Sequence, residues 1–294
     1  MNSTPEKPPI LNAIDSRRIL TIILQVSIAA TYGGFLAWVL ATTTDLSYIS
    51  LGLAFPFPLN VYMVLLYAGV GLGIVFILNL FFRFTSVRPD RLFVSILLSP
   101  LLFLATLLVG HVILLFFLQG VPNLFLYSVF AFASLYFSMF AILFIILDML
   151  PNWGKQVMVL WYGGSIGAFL GVSIPTLPLF ILFLALAAID IFTAQAVQPD
   201  WQERAEGMEM LGTMLGGTFM GVGDIVSYAA IVAHSLAYFN LFVSIASVIM
   251  LFVGAGALVL IYRRRIDKPI PGLIVVIFGV IPWIPAVLLQ IFFP

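Results

Sequence analysis

Residues 208–236 read MEMLGTMLGGTFMGVGDIVSYAAIVAHSL. Met, Leu, Phe, Val and Ala dominate the stretch, and it is long enough to cross a bilayer, which takes about 20 apolar residues. Yet a carboxylate, Asp224, sits within it, directly after Gly221-Val222-Gly223. An ionised aspartate at the bilayer centre costs about 2.5–3.5 kcal/mol on insertion scales. A chain that carries that cost has a use or a partner for the group. Only one other acid lies deep inside an apolar run: Asp190, in LPLFILFLALAAIDIFTAQA at residues 177–196.

The rest of the chain agrees with a membrane setting. Of its 294 residues, 63% are hydrophobic and 8% charged, and the mean hydropathy is +1.20. Soluble domains sit far from this composition. The apolar runs are continuous rather than alternating, which indicates helices rather than a β-barrel. A formal net charge of zero offers nucleic acid no basic surface, so no nucleic-acid partner is expected. The absence of cysteine excludes disulfides, thiolate metal sites and a cysteine nucleophile. Two histidines, His111 and His234, are too few for a His-rich metal site, so no metal or cofactor is expected. The N-terminus shows no short apolar region followed by a small-residue cleavage site, and the first apolar run reads as a retained helix.

Nine runs approach spanning length: residues 19–42, 58–82, 92–118, 124–147, 157–174, 177–196, 211–236, 240–262 and 270–293. The fifth is the weakest. The expectation is an all-α polytopic bundle of nine transmembrane helices, a single domain over residues 1–294, with a polar tail at 1–18. If the spans alternate, all twelve lysines and arginines fall on one side, from Lys7, Arg17 and Arg18 in the tail to Arg263, Arg264, Arg265 and Lys268 before span nine. The positive-inside rule then predicts a cytoplasmic N-terminus and an external C-terminus. Trp38 and Trp283 fall near the outer boundary of this arrangement, and Trp153 and Trp201 near the inner one, as interfacial anchors do.

Glycines recur at helical spacing. Gly163, Gly167 and Gly171 form one stripe on span five, and Gly69 and Gly73 a shorter one on span two. Such stripes let helix backbones approach closely. Span seven carries the pairs Gly212/Gly216 and Gly217/Gly221. On a continuous helix the second pair shares the face of Asp224, and the acid is expected to face a neighbouring backbone.

Asp190 and Asp224 lie on consecutive spans joined by a short connector, about residues 195–210. Consecutive helices joined this way usually pack together, so the two carboxylates are expected to meet inside the bundle. Two carboxylates in one poorly solvated site cannot both ionise at neutral pH, and the pair shares a proton and titrates as a unit. Such a dyad supports peptide hydrolysis: the ionised member takes a proton from water, and the protonated member donates to the carbonyl oxygen and then to the leaving nitrogen. Buried carboxylates also serve ion-coupled transporters and channels, and charge placement alone does not separate the two readings.

The flanking residues favour hydrolysis. Gly221-Val222-Gly223-Asp224, with an earlier acid in Ile189-Asp190-Ile191-Phe192, resembles the presenilin/signal peptide peptidase family of intramembrane aspartyl proteases, archaeal homologues included. The family's first motif is Tyr-Asp, and here Ile189 stands in place of the tyrosine. Its third motif, Pro-Ala-Leu, has a loose counterpart in Pro271-Gly272-Leu273 at the start of span nine. The resemblance implies that Asp190 and Asp224 are catalytic. It also implies that Gly221, Gly223, Pro271, Gly272 and Leu273 position the substrate, a transmembrane helix or signal-peptide remnant in the lipid bilayer. The short connector suggests a single chain active without cleavage. His111 and His234 read as packing or interface residues, and Asp148 as a cytoplasmic headgroup-zone residue.

Overall fold

The computed structural model describes residues 10–43, 91–118, 123–147, 149–196, 212–215, 218–262 and 272–292. In chain order the elements are α1 (Ile10–Thr43), α2 (Arg91–Phe117), α3 (Leu124–Ile146), α4 (Asn152–Ser173) and α5 (Thr176–Ala196). There follow β1 (Gly212–Leu215), β2 (Thr218–Gly221), α6 (Val222–Tyr238), α7 (Leu241–Tyr262), α8 (Ile274–Val280) and α9 (Trp283–Phe292). Five helices, α1, α2, α3, α4 and α7, are long and apolar enough to cross a membrane, and α5, α6 and the α8–α9 segment are shorter apolar helices. This is a helical membrane protein. The expected span two at 58–82, with Gly69 and Gly73, lies outside the described residues. So do Asp148, Trp201, Pro271 and most of the connector between spans six and seven.

Three expectations are corrected. The polar tail is not wholly tail, because α1 begins at Ile10. Span seven is not one helix: before α6, β1 and β2 pair antiparallel, Gly212 with Gly221 and Leu215 with Thr218. Glycine in a helix interior is about 1 kcal/mol worse than alanine, and this stretch carries Gly212, Gly216, Gly217 and Gly221 beside the β-branched Thr213 and Thr218. A hairpin satisfies the strands' polar groups with less reliance on helix propensity. Gly212 and Gly221, the described members of the glycine pairs at spacing four, therefore lie in strands and not on a helix face. Span nine is also split, with α8 ending at Val280 and α9 starting at Trp283. Pro282 lies between them, and its missing N–H and ring break the helical ladder.

The bundle is built around α6, which packs chiefly on α4 and α1. The glycine stripe of α4 makes this contact. A Cβ at Gly163 would meet Val222 at 3.1 Å, and Cβ atoms at Gly167 and Gly171 would run into the carbonyl oxygens of Val226 and Ala230. Each step of four on α4 is matched by a step of four on α6, so the helices run parallel with their backbones in close contact. From the other side, a Cβ at Gly33 of α1 would lie 2.6 Å from the backbone of Ala229. The weakness of span five has its reason here. Its hydropathy is lowered by glycines that carry internal packing, and half of its spanning window is buried.

The C-terminal end of α6 is closed by polar and aromatic groups. His234 is fully buried, with Nδ1 2.7 Å from the Gly171 carbonyl oxygen and Nε2 2.9 Å from Thr176 Oγ1. A carbonyl only accepts, so Nδ1 carries the proton here and the Thr176 hydroxyl donates to Nε2. The ring stacks on Tyr238 at 4.4 Å and meets Trp283 at 4.6 Å. Trp283 Nε1 donates to Ser235 Oγ at 2.7 Å. Trp283 is 1% exposed, so it is a core residue and not the interfacial anchor expected from its place in the sequence. Trp38 and Trp153, by contrast, are exposed. His111 is exposed and packs on Tyr127.

Candidate active site

Asp224 is the third residue of α6. Its Oδ2 accepts the backbone N–H of Gly221, the residue that caps the helix, at 3.2 Å. An acid in the first helical turn is locally favourable for this reason and because the helix dipole presents positive charge there. The sequence thus gives Asp224 a structural task whatever else it does.

Asp190 is bonded across the fold. It lies towards the C-terminal end of α5, and its Oδ2 accepts the backbone N–H of Leu273, 83 residues away, at 3.0 Å. Here the expectation of direct packing between spans six and seven is corrected, since α5 and α6 touch only lightly. The start of span nine lies between them, with α8 packed on both.

Gly272 and Leu273 are the meeting point. While Leu273 binds Asp190, Gly272 lies against Asp224. A Cβ on Gly272 would come within 2.5 Å of Asp224 Oδ2 and 2.6 Å of Oδ1. An alanine at position 272, as in the resembled motif, would require the Asp224 carboxylate or the turn to shift. Both carboxylates address adjacent residues of one turn, and they act on each other electrostatically. Asp224 faces a neighbouring backbone, that of Gly272 at the start of span nine.

The other expected positions are spread around this centre. Gly221 caps α6, and Gly223 is exposed, with nothing within 4 Å of an added Cβ. Packing among the described residues therefore leaves open space at Gly223, on the exposed side of the first turn of α6. One residue escaped the sequence reading. Tyr228 follows Asp224 by one helical turn, is 1% exposed, and donates its hydroxyl to the Gly272 carbonyl oxygen at 2.9 Å. Its spacing of four from Asp224 was visible in the sequence, but the partner carbonyl was not. Among the described residues no group of three or more His, Asp or Glu is arranged to hold a metal ion.

No family model matches the chain, and no curated protein does. Among solved structures it is similar to a presenilin family intramembrane aspartate protease, seen in two crystal forms. The P2 form superposes with a TM-score of 0.56 at 18% identity, over 91% of this chain and 96% of that one. The C222 form gives 0.55 at 18% identity, over 91% and 99%. The fold is shared along nearly the whole length of both chains.

Proposed function

We propose that this chain, which has the fold of the presenilin family intramembrane aspartate proteases, is itself an intramembrane aspartic endopeptidase with Asp190 and Asp224 as its catalytic dyad. The observation that carries the proposal is the convergence of both carboxylates on Gly272–Leu273, from helices that otherwise touch lightly.

In the reaction, the ionised carboxylate accepts a proton from water as the water oxygen attacks the peptide carbonyl carbon. The protonated carboxyl gives its proton to the carbonyl oxygen. Collapse of the tetrahedral intermediate breaks the C–N bond, and the leaving nitrogen takes a proton from the dyad. The substrate is a transmembrane helix or signal-peptide remnant. Its amides are bonded internally, so it opens locally before water can reach a carbonyl. The open space at Gly223 gives the opened segment room beside Asp224. The hairpin leading into α6 pairs only with itself among the described residues, and its edges offer backbone groups to an extended peptide. The nine-span count, the single domain and a cytoplasmic N-terminus with an external C-terminus belong to the same reading and rest on the basic residues falling on one side.

The test is incubation of the purified protein in lipid with a labelled transmembrane peptide. Cleavage by the wild type and its loss in Asp190→Asn and Asp224→Asn are expected. A carboxylate-based transporter would cut neither and would show ion flux in liposomes. Substantial cleavage by Asp190→Asn would remove Asp190 from the dyad.

A further inference from the structure

The Gly272–Leu273 peptide is held at both edges. On one edge its N–H donates to Asp190 Oδ2 at 3.0 Å. On the other its carbonyl oxygen accepts the Tyr228 hydroxyl at 2.9 Å. The same carbonyl accepts the backbone N–H of Val275 at 3.1 Å, in the first turn of α8. A carbonyl oxygen has two lone pairs, and both are used. A trans peptide is a rigid plane with its N–H and C=O on opposite sides, so this unit works as a spacer of fixed length. One end rests on the helix of Asp224 through Tyr228, and the other end is Asp190.

We infer that Tyr228 is a positioning residue that sets the spacing of the two acids through this peptide. The inference rests on the dyad reading above. Because α5 and α6 touch lightly, direct packing does little to set that spacing. Tyr228, by contrast, belongs to the best-packed helix of the molecule, and its ring is buried in the core. Losing the hydroxyl removes the tie to α6 and leaves the carbonyl held by the Val275 N–H of span nine itself, so the peptide and Asp190 can shift together relative to Asp224. A residue that merely fills space would not act through a hydroxyl, and phenylalanine would replace it without loss.

The experiment compares wild type, Tyr228→Phe and Ser235→Ala, all as full chains in lipid. Ser235→Ala removes a buried hydrogen bond at the opposite end of the same helix, to Trp283, and serves as the control for lost stability. Tyr228→Phe should lower kcat about tenfold with KM within about twofold, as expected for the loss of one hydrogen bond that positions the reacting groups. Ser235→Ala should lower the thermal midpoint while leaving kcat in place. Amide exchange of the peptide containing Leu273 should quicken in Tyr228→Phe and stay unchanged in Ser235→Ala. In an active preparation, a Tyr228→Phe kcat equal to wild type overturns the inference, as does an equal fall in both variants. If the wild type cleaves nothing, the protease reading fails instead, and exchange alone decides: faster exchange at Leu273 in Tyr228→Phe keeps the latch, and unchanged exchange overturns it.

Discussion

The two ends of α6 are built on opposite plans. At the C-terminal end, His234, Ser235, Tyr238 and Trp283 interlock, with each polar group bonded to a neighbour and the rings stacked. At the N-terminal end, Asp224 meets a bare glycine, an open space at Gly223 and a single peptide group shared with Asp190 through Leu273. Four helical turns separate an end that spends its side chains on cohesion from an end that leaves carboxylates facing backbone. On the proposed dyad, stability and chemistry are segregated along one helix, and substitutions should divide the same way.

The largest effect should come from the acids. Asp190→Asn and Asp224→Asn are each expected to reduce cleavage about 10⁴-fold or more, with the double variant no worse than either, because residues acting as a unit are grossly non-additive. Asn at position 224 can still accept the Gly221 N–H, so Asp224→Asn should melt like wild type, while Asp224→Ala should lose about 1 kcal/mol with the cap. Separate measurements of melting and cleavage then distinguish the capping task from the chemical one. Wild-type activity should be bell-shaped in pH, as for any pair that works with one shared proton. A flat profile would contradict the dyad.

Gly272→Ala comes next. Its methyl would press on the Asp224 carboxylate, and a displacement of this order costs about 100-fold in rate. The folded state should persist, and near-normal cleavage would show that the turn relaxes more readily than its geometry suggests. At the other end the signature reverses. Trp283→Ala should cost about 3–5 kcal/mol of stability, read as a lower thermal midpoint, with cleavage retained by the folded fraction. Gly171→Ala should cost about 1–3 kcal/mol by forcing α4 off the Ala230 carbonyl. The smallest effect belongs to Phe140→Leu on exposed, lipid-facing α3, expected within about 0.5 kcal/mol of wild type.

The long apolar helices were legible because apolar run length is a strong signal, and α3 and α7 begin and end within a residue of the runs that predicted them. The hairpin was not, because Met, Leu and Phe kept the stretch apolar enough to read as helix. Gly216-Gly217 between two Thr-containing runs is nonetheless a hairpin signal. Pro282 likewise announced the break in span nine. Both acids stood out as carboxylates in apolar runs. Their meeting through span nine did not, because residues 83 apart are brought together by packing that no local pattern encodes. Ile189 stands where the resemblance expects tyrosine. The tyrosine that reaches this site comes from α6.

The parallel seam between α4 and α6 carries one more consequence. Its contacts repeat every fourth residue on both helices, with the Gly167 and Gly171 positions seated against carbonyl oxygens. Sliding α6 by anything less than a full tooth would drive backbone into backbone. Asp224 is thereby mounted on the stator of the assembly. Asp190 sits on α5, which touches α6 only lightly, so on the proposed dyad an adjustment that alters the spacing of the two acids falls to the side of Asp190.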